Sequence, residues 1–340
     1  VAFVTPIADH IWAAAYDFSY MGPNVLRRSG NRELDLDPSD NVRTLTFAVM
    51  NWAGESARER RLDADVATFE YGAIVSHRWQ QNDIPASWVP TEDDVEITPD
   101  QAVERRMTAT AFDVWLRLTH PFMRLEAEAA ILTGNIEHPS LVPGVQLDTS
   151  LTSLQYGAAL ESDFGPRGGR ISGGLDAGFA SGDSAPGFGS FPDSNAQLPE
   201  EGDFTGPQAS PPSDPEVNNF RFHPDYRVDR ILFRELIGTV TDATYVRPHV
   251  DWRVFDEGPN EIMASVAAVA SWAVNEQSTP GGARPLGLEL DPTVTYRHRD
   301  GFSTSLIYGV LFPGEGLDNR ELGRQAQPAH LFRWRVIYAF

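Results

Sequence analysis

His249 and Asp251 stand two residues apart in an alternating stretch. On a β-strand that spacing turns both side chains to one face, as an acid–base pair in a hydrolase would require. A plain hydrogen-bonded pair meets the same spacing. His138-Pro139-Ser140 is the one His-x-Ser in the chain, and it sits between prolines in a stretch that reads as a loop. Ser76 and His77 are adjacent, so on a strand they point apart. Asp183, Glu200, Glu201 and Asp203 carry the hard oxygen donors calcium prefers, but at irregular spacing. The chain has no Cys, which excludes disulfides and thiolate metal or redox chemistry. No phosphate loop, His-x-x-x-His pair or EF-hand pattern occurs. The expectation is a non-enzyme with no cofactor and no metal.

Charge is the other chemical resource. The 340 residues carry a formal net charge of -21, and all 27 basic side chains other than His are Arg. An acidic chain of this kind argues against nucleic acid as partner, because phosphate neutralisation needs a basic face. The Arg and carboxylate residues recur at every second position. Arg247, Arg253, Arg297, Arg299, Arg333 and Arg335 fall in the last third, with His249 and Asp251 among them. Glu126, Glu128, Glu161 and Asp176 fall in the middle third, beside Arg117, Arg124 and Arg170. If these line one interior, one wall is basic and the facing wall mixed to acidic. That arrangement would orient dipolar solutes and pass ions. Arg–carboxylate pairs that only rigidify the interior fit the same list.

The elements that must position these residues are strands. In 329–340 Phe332, Trp334, Val336, Tyr338 and Phe340 share one face, and Leu331, Arg333, Arg335, Ile337 and Ala339 the other. Lipid on one side and water on the other explain five large apolar residues opposite two arginines. The same alternation runs through 8–21, 41–53, 67–80, 107–119, 123–135, 150–163, 169–181, 242–255, 261–274, 286–299 and 302–313. No stretch approaches the ~18 consecutive apolar residues of a membrane helix. A barrel strand needs only ~10 alternating residues. Aromatics such as Trp12, Tyr20, Phe69, Trp79, Trp272 and Tyr296 fall toward strand ends, as membrane interfaces favour. A soluble sandwich or propeller also alternates, but it needs neither this girdle nor alternately short and long connections.

Twelve strands result, predicting an all-β fold: one closed antiparallel transmembrane β-barrel spanning 1–340. Short connections at 121–122, 164–168, 256–260 and 300–301 would be periplasmic, with a longer one at 54–66. Those at 22–40, 81–106, 136–148, 182–241, 275–285 and 314–328 would face outward. The 182–241 connection reads as a long extracellular or lumen-inserted loop. Its Val228, Ile231, Leu232, Leu236 and Ile237 follow i, i+3, i+4 spacing, and Gly238 can cap, predicting a helix near 226–238. Val1 opens the numbering without a charged and apolar leader before it, which points to a mature or trimmed start.

Pro224-Asp225-Tyr226-Arg227-Val228-Asp229 and Thr241-Asp242-Ala243, within 220–248, resemble a segment of alginate-export-like outer-membrane proteins and related barrels of GC-rich Gram-negative bacteria. The resemblance implies a barrel with an Arg-lined path for an anionic polymer, although that family carries more strands than this length provides. The terminal aromatic with apolar residues at alternate positions before it resembles the signal read by the barrel assembly machinery. The expected location is the bacterial outer membrane, among lipid and lipopolysaccharide. The expected function is a porin-like channel for small hydrophilic solutes or ions, including anionic saccharides. An outer-membrane hydrolase and a plugged structural or docking barrel are the alternatives.

Overall fold

The structure is a computed structural model that describes residues 1–18, 41–83, 102–140, 145–188, 208–209 and 213–339. Thirteen strands form one antiparallel sheet in strict chain order. They are β1 (Ala2–Ile7), β2 (His10–Phe18), β3 (Arg43–Asn51), β4 (Thr68–Gln80), β5 (Met107–His120), β6 (Met123–Ile136), β7 (Leu151–Phe164), β8 (Ile171–Ala180), β9 (Ala243–Glu257), β10 (Asn260–Ala273), β11 (Pro285–His298), β12 (Phe302–Pro313) and β13 (Ala329–Tyr338). A helix, α1 (Glu55–Asp63), fills the connection from β3 to β4.

The twelve expected strands correspond to β2–β13, and among the described residues β1 adds a thirteenth. Strand β1 pairs with β2 across a two-residue turn, Ala8-Asp9, in which both φ angles are left-handed (51° and 61°). Such turns normally announce themselves through Gly or Asn. Neither is present here, so the sequence conceals the hairpin. With thirteen strands, the edge strands β1 and β13 run in the same direction.

The two faces of the sheet differ in kind. One exposes large apolar side chains on strand after strand: Phe47, Phe69, Phe112, Val114, Leu154, Leu160, Val250, Trp252, Val266, Leu306, Phe312 and Phe332 are all exposed. The other carries the charged residues and receives the connection between β8 and β9. One expected outward residue changes sides. A register shift at Ser271/Trp272 pairs Ser271 with Gly287 and Trp272 with Pro285. Gly287, at φ 140°, absorbs the extra residue, and Leu286 turns inward to full burial.

The β8–β9 connection builds the largest buried cluster. Phe222, Val228, Ile231, Leu232, Phe233, Ile237 and Val240 pack against Tyr245, Val269, Leu286 and Leu311. The last four come from β9–β12, all on the polar face. The same connection extends the sheet where β8 stops: Thr152 N donates to Pro215 O at 2.8 Å and Val217 N to Thr152 O at 3.0 Å, while Leu154 N donates to Asn218 Oδ1 at 2.9 Å.

The helix expected near 226–238 is one π-turn, Leu232–Leu236. Its upstream amides are claimed by the sheet. Glu289 Oε1 accepts from Arg230 N and Ile231 N at 2.8 Å each, and its Oε2 accepts from Leu232 N at 3.0 Å. Asp229 accepts from Phe233 N and Arg234 N at 2.8 and 3.2 Å. Carboxylates thus satisfy the donors that a helix start leaves open. The apolar spacing reflects near-complete burial, with Leu236 left exposed, and a helix stripe is not needed to explain it.

Candidate functional site

The polar face is the candidate site, and it is an ion-pair ladder. At the end where the connections are short, Glu70 is fully buried. Its carboxylate accepts from Arg117 Nε at 2.8 Å and Ala53 N at 2.9 Å, and Arg58 Nε of α1 lies 3.4 Å away. Trp52 and Trp115 enclose the Arg117 guanidinium, each ring centroid 4.9 Å from its carbon. A charge so far from water needs this density of partners.

Further along, Arg124 of β6 joins three carboxylates: Glu126, Glu161 at 3.2 Å and Asp163 at 3.2 Å. Trp115 Nε1 donates to Glu126 at 2.6 Å. His249 inserts between β7 and β8, Nε2 3.2 Å from Asp163 and Nδ1 3.5 Å from Asp176, and Arg247 pairs with the same Asp176. Arg253 and Arg297 share Glu261 at 3.2 and 3.5 Å. Arg333 of β13 reaches Glu235 in the β8–β9 connection at 3.4 Å.

The expected interior residues occupy the polar face, with one departure. Arg299 lies in the β11–β12 turn, past the end of its strand, and is exposed. Arg335, near the C-terminal end of β13, stands opposite Ser305 and so keeps the parity of the polar face, although its side chain is exposed. Glu126, Glu128, Glu161, Asp176, Arg247, His249, Asp251, Arg253, Arg297, Arg333 and Arg335 lie on the polar face. Ion pairs between adjacent strands run through this face, the alternative given beside the two-wall arrangement, because opposite charges on neighbouring strands are within reach of each other. Phe332, Trp334, Val336 and Tyr338 form the exposed apolar face of β13, with 71%, 67%, 50% and 57% of their surface open. Phe340 lies outside the described residues.

The sequence-derived hydrolase candidates separate. His249 meets Asp163 and Asp176 and so pairs across strands, two residues away from the expected Asp251. Ser76 bonds Thr46 at 3.1 Å on the polar face, and His77 stacks on Trp79 on the other. His138 bonds the Leu147 carbonyl, and the Ser140 carbonyl accepts from Arg105. Asp183 anchors the Ala185 and Asn218 amides, and burial raises its carboxyl above the ordinary range. Glu200, Glu201 and Asp203 lie outside the described residues.

Residues that sequence reasoning left out of the site are Glu70, Asp113, Asp229, Glu289 and Asp291. Parity alone put Glu70, Asp113, Glu289 and Asp291 inward. Their partners come from remote segments, so nothing local marked them. Asp229 is held up to about 7, first by burial and then by the charge of Glu289, against the Phe233 and Arg234 amides. Asp242, just ahead of β9, is also raised to about 7 by burial, against bonds from Ser278 and Asn275.

No family model and no curated protein match the chain, so the alginate-export-like resemblance finds no counterpart there. Among solved structures, the β domain of the Bordetella autotransporter BrkA aligns at TM-score 0.25 and 9% identity, covering 88% of this chain and 91% of that one. CdiB from Escherichia coli aligns at TM-score 0.30 and 15% identity over 100% of this chain and 58% of that one. The copper transporter OprC aligns at 0.35 and 12% over 97% and 53%. The chain thus spans a little over half the length of the last two. Likeness at these scores carries no inference about this chain.

Proposed function

We propose that this chain is a bacterial outer-membrane β-barrel that passes small hydrophilic solutes along its polar face, the β8–β9 connection narrowing the path. One observation carries the reading. A thirteen-stranded sheet exposes large apolar side chains on one face throughout and keeps its ion pairs on the other. In water such a face would be a large aggregation-prone surface. In a bilayer it is the surface lipid requires, and closing the sheet leaves no open edge in hydrocarbon. Direct closure of β1 on β13 would be a parallel pairing, and antiparallel closure needs one further strand. The neighbours of such a barrel are lipid, lipopolysaccharide and the barrel assembly machinery.

The buried cluster around Leu232 favours a second reading, a plugged barrel that anchors or docks. Planar-bilayer recording separates the two. The passage reading expects steady, reproducible conductance steps after insertion of the purified protein. A persistently silent bilayer containing folded protein contradicts it and favours the plug.

A further inference from the structure

A cleft of about 220 Å³ opens on the polar face between β5–β7 and residues 220–226 of the β8–β9 connection. Its floor is low because Ala130, Gly157 and Ala159 place little side chain there. Gly157 is required: a Cβ at that position would lie 2.4 Å from the Phe220 ring. Phe220, Phe222 and Tyr226 form the wall, joined by edge-to-face contacts with centroids 5.8 and 5.4 Å apart. Arg221 and His223 also border the cleft but are exposed.

Asp113 and Glu128 project into this cleft. They are diagonal neighbours on β5 and β6, where Asp113 stands opposite Ala130 and Glu128 opposite Trp115. The surrounding carboxylates are compensated, with Glu126, Glu161 and Asp163 sharing Arg124 and Glu70 holding Arg117. Among the described residues, the ion pairs of these strands leave Asp113 and Glu128 without a cationic partner. Two carboxyl groups without a cationic partner place negative charge beside three aromatic rings. Carboxylates on the strand side and aromatic rings on the connection side favour a cation with an alkyl surface over a hydrated metal ion.

We propose that this cleft binds a small organic cation, an ammonium group bearing short alkyl substituents. The proposal rests on the polar face being the solute path and names the solute class that face selects. Four of the six arginines behind the expected anionic preference, Arg247, Arg253, Arg297 and Arg333, are held by carboxylates.

Calorimetric titration of the folded full chain in detergent with tetramethylammonium chloride tests the site without needing an open pore, and tert-butanol serves as the uncharged probe of similar shape. Saturable tetramethylammonium binding is expected, weakened about tenfold in an Asp113→Asn, Glu128→Gln double variant and a few-fold in Phe222→Leu. Retained heat-dependent gel mobility establishes that each variant is folded, and Phe222→Leu carries the test if the double variant is not. No saturable binding by the unaltered chain, equal binding by the double variant, or equal binding of tert-butanol overturns the proposal. Absent binding in a protein that conducts removes the cation site alone. Intact binding with a silent bilayer removes the passage reading alone.

Discussion

Glu70 shows what the charged residues of this face require individually. It has no exposed surface, two arginines and one amide on its oxygens, and one of those arginines is enclosed by tryptophans. Removing one member of a buried pair leaves the others desolvated and uncompensated, so the loss exceeds what the pair contributes net. Glu70→Gln is expected to lower unfolding stability in detergent by about 3 kcal/mol, measured by urea titration of tryptophan fluorescence. A Glu261→Gln control, whose partners Arg253 and Arg297 are more exposed, should change it much less. Equal losses would show that burial of Glu70 has no energetic consequence. Alternation in the sequence placed Glu70 on the interior face. Its worth depends on Arg58, Arg117 and Trp52, which approach from α1, β5 and the β3 end, and no local pattern reports that.

The β8–β9 connection is the element whose behaviour should vary with conditions. Its π-turn is held at its start by Glu289 and Asp229, and the far end of the connection is anchored by Asp242 through Ser278 and Asn275. Asp291 beside Glu289, together with Arg230 and Arg234, completes the ionisable surroundings of Asp229. Asp229 and Asp242 both sit at about 7 when docked, and released they would return toward the ordinary carboxylate range. The docked state therefore holds more protons between those limits. Docking is strongest in acid and weakens as the pH rises toward 7. Amide exchange of residues 228–237, corrected for intrinsic rate, should accelerate between pH 5 and pH 7.5, and Asp229→Asn should flatten that dependence. A corrected rate independent of pH would contradict this. The sequence marked 226–238 as apolar and ordered, but read its spacing as a helix. Five of its six apolar side chains are buried in all directions, and the carboxylate that shapes the turn lies 57 to 59 positions away.

At the scale of the molecule, period-two alternation was enough to locate twelve strands and their faces, because each strand separates two unlike surroundings, while the side taken by the 182–241 connection was left open. The thirteenth was hidden by a turn that uses Ala and Asp where Gly or Asn is usual. The bulge at Gly287 was hidden because a one-residue shift leaves composition unchanged. Charge pairing was foreseen in kind, but its particular partners were hidden, because parity assigns a face and says nothing about partners across it. All of the functional reading depends on the apolar face meeting lipid.

The chain has no cysteine, so single substitutions along β13 give unique labelling sites. Spin labels at Phe332→Cys, Arg333→Cys, Trp334→Cys, Arg335→Cys and Val336→Cys in liposomes should alternate. Positions 332, 334 and 336 should relax with membrane-dissolved oxygen, and 333 and 335 with a water-soluble nickel chelate. Equal water accessibility at all five, or protection from both reagents at 332, 334 and 336, would contradict the account.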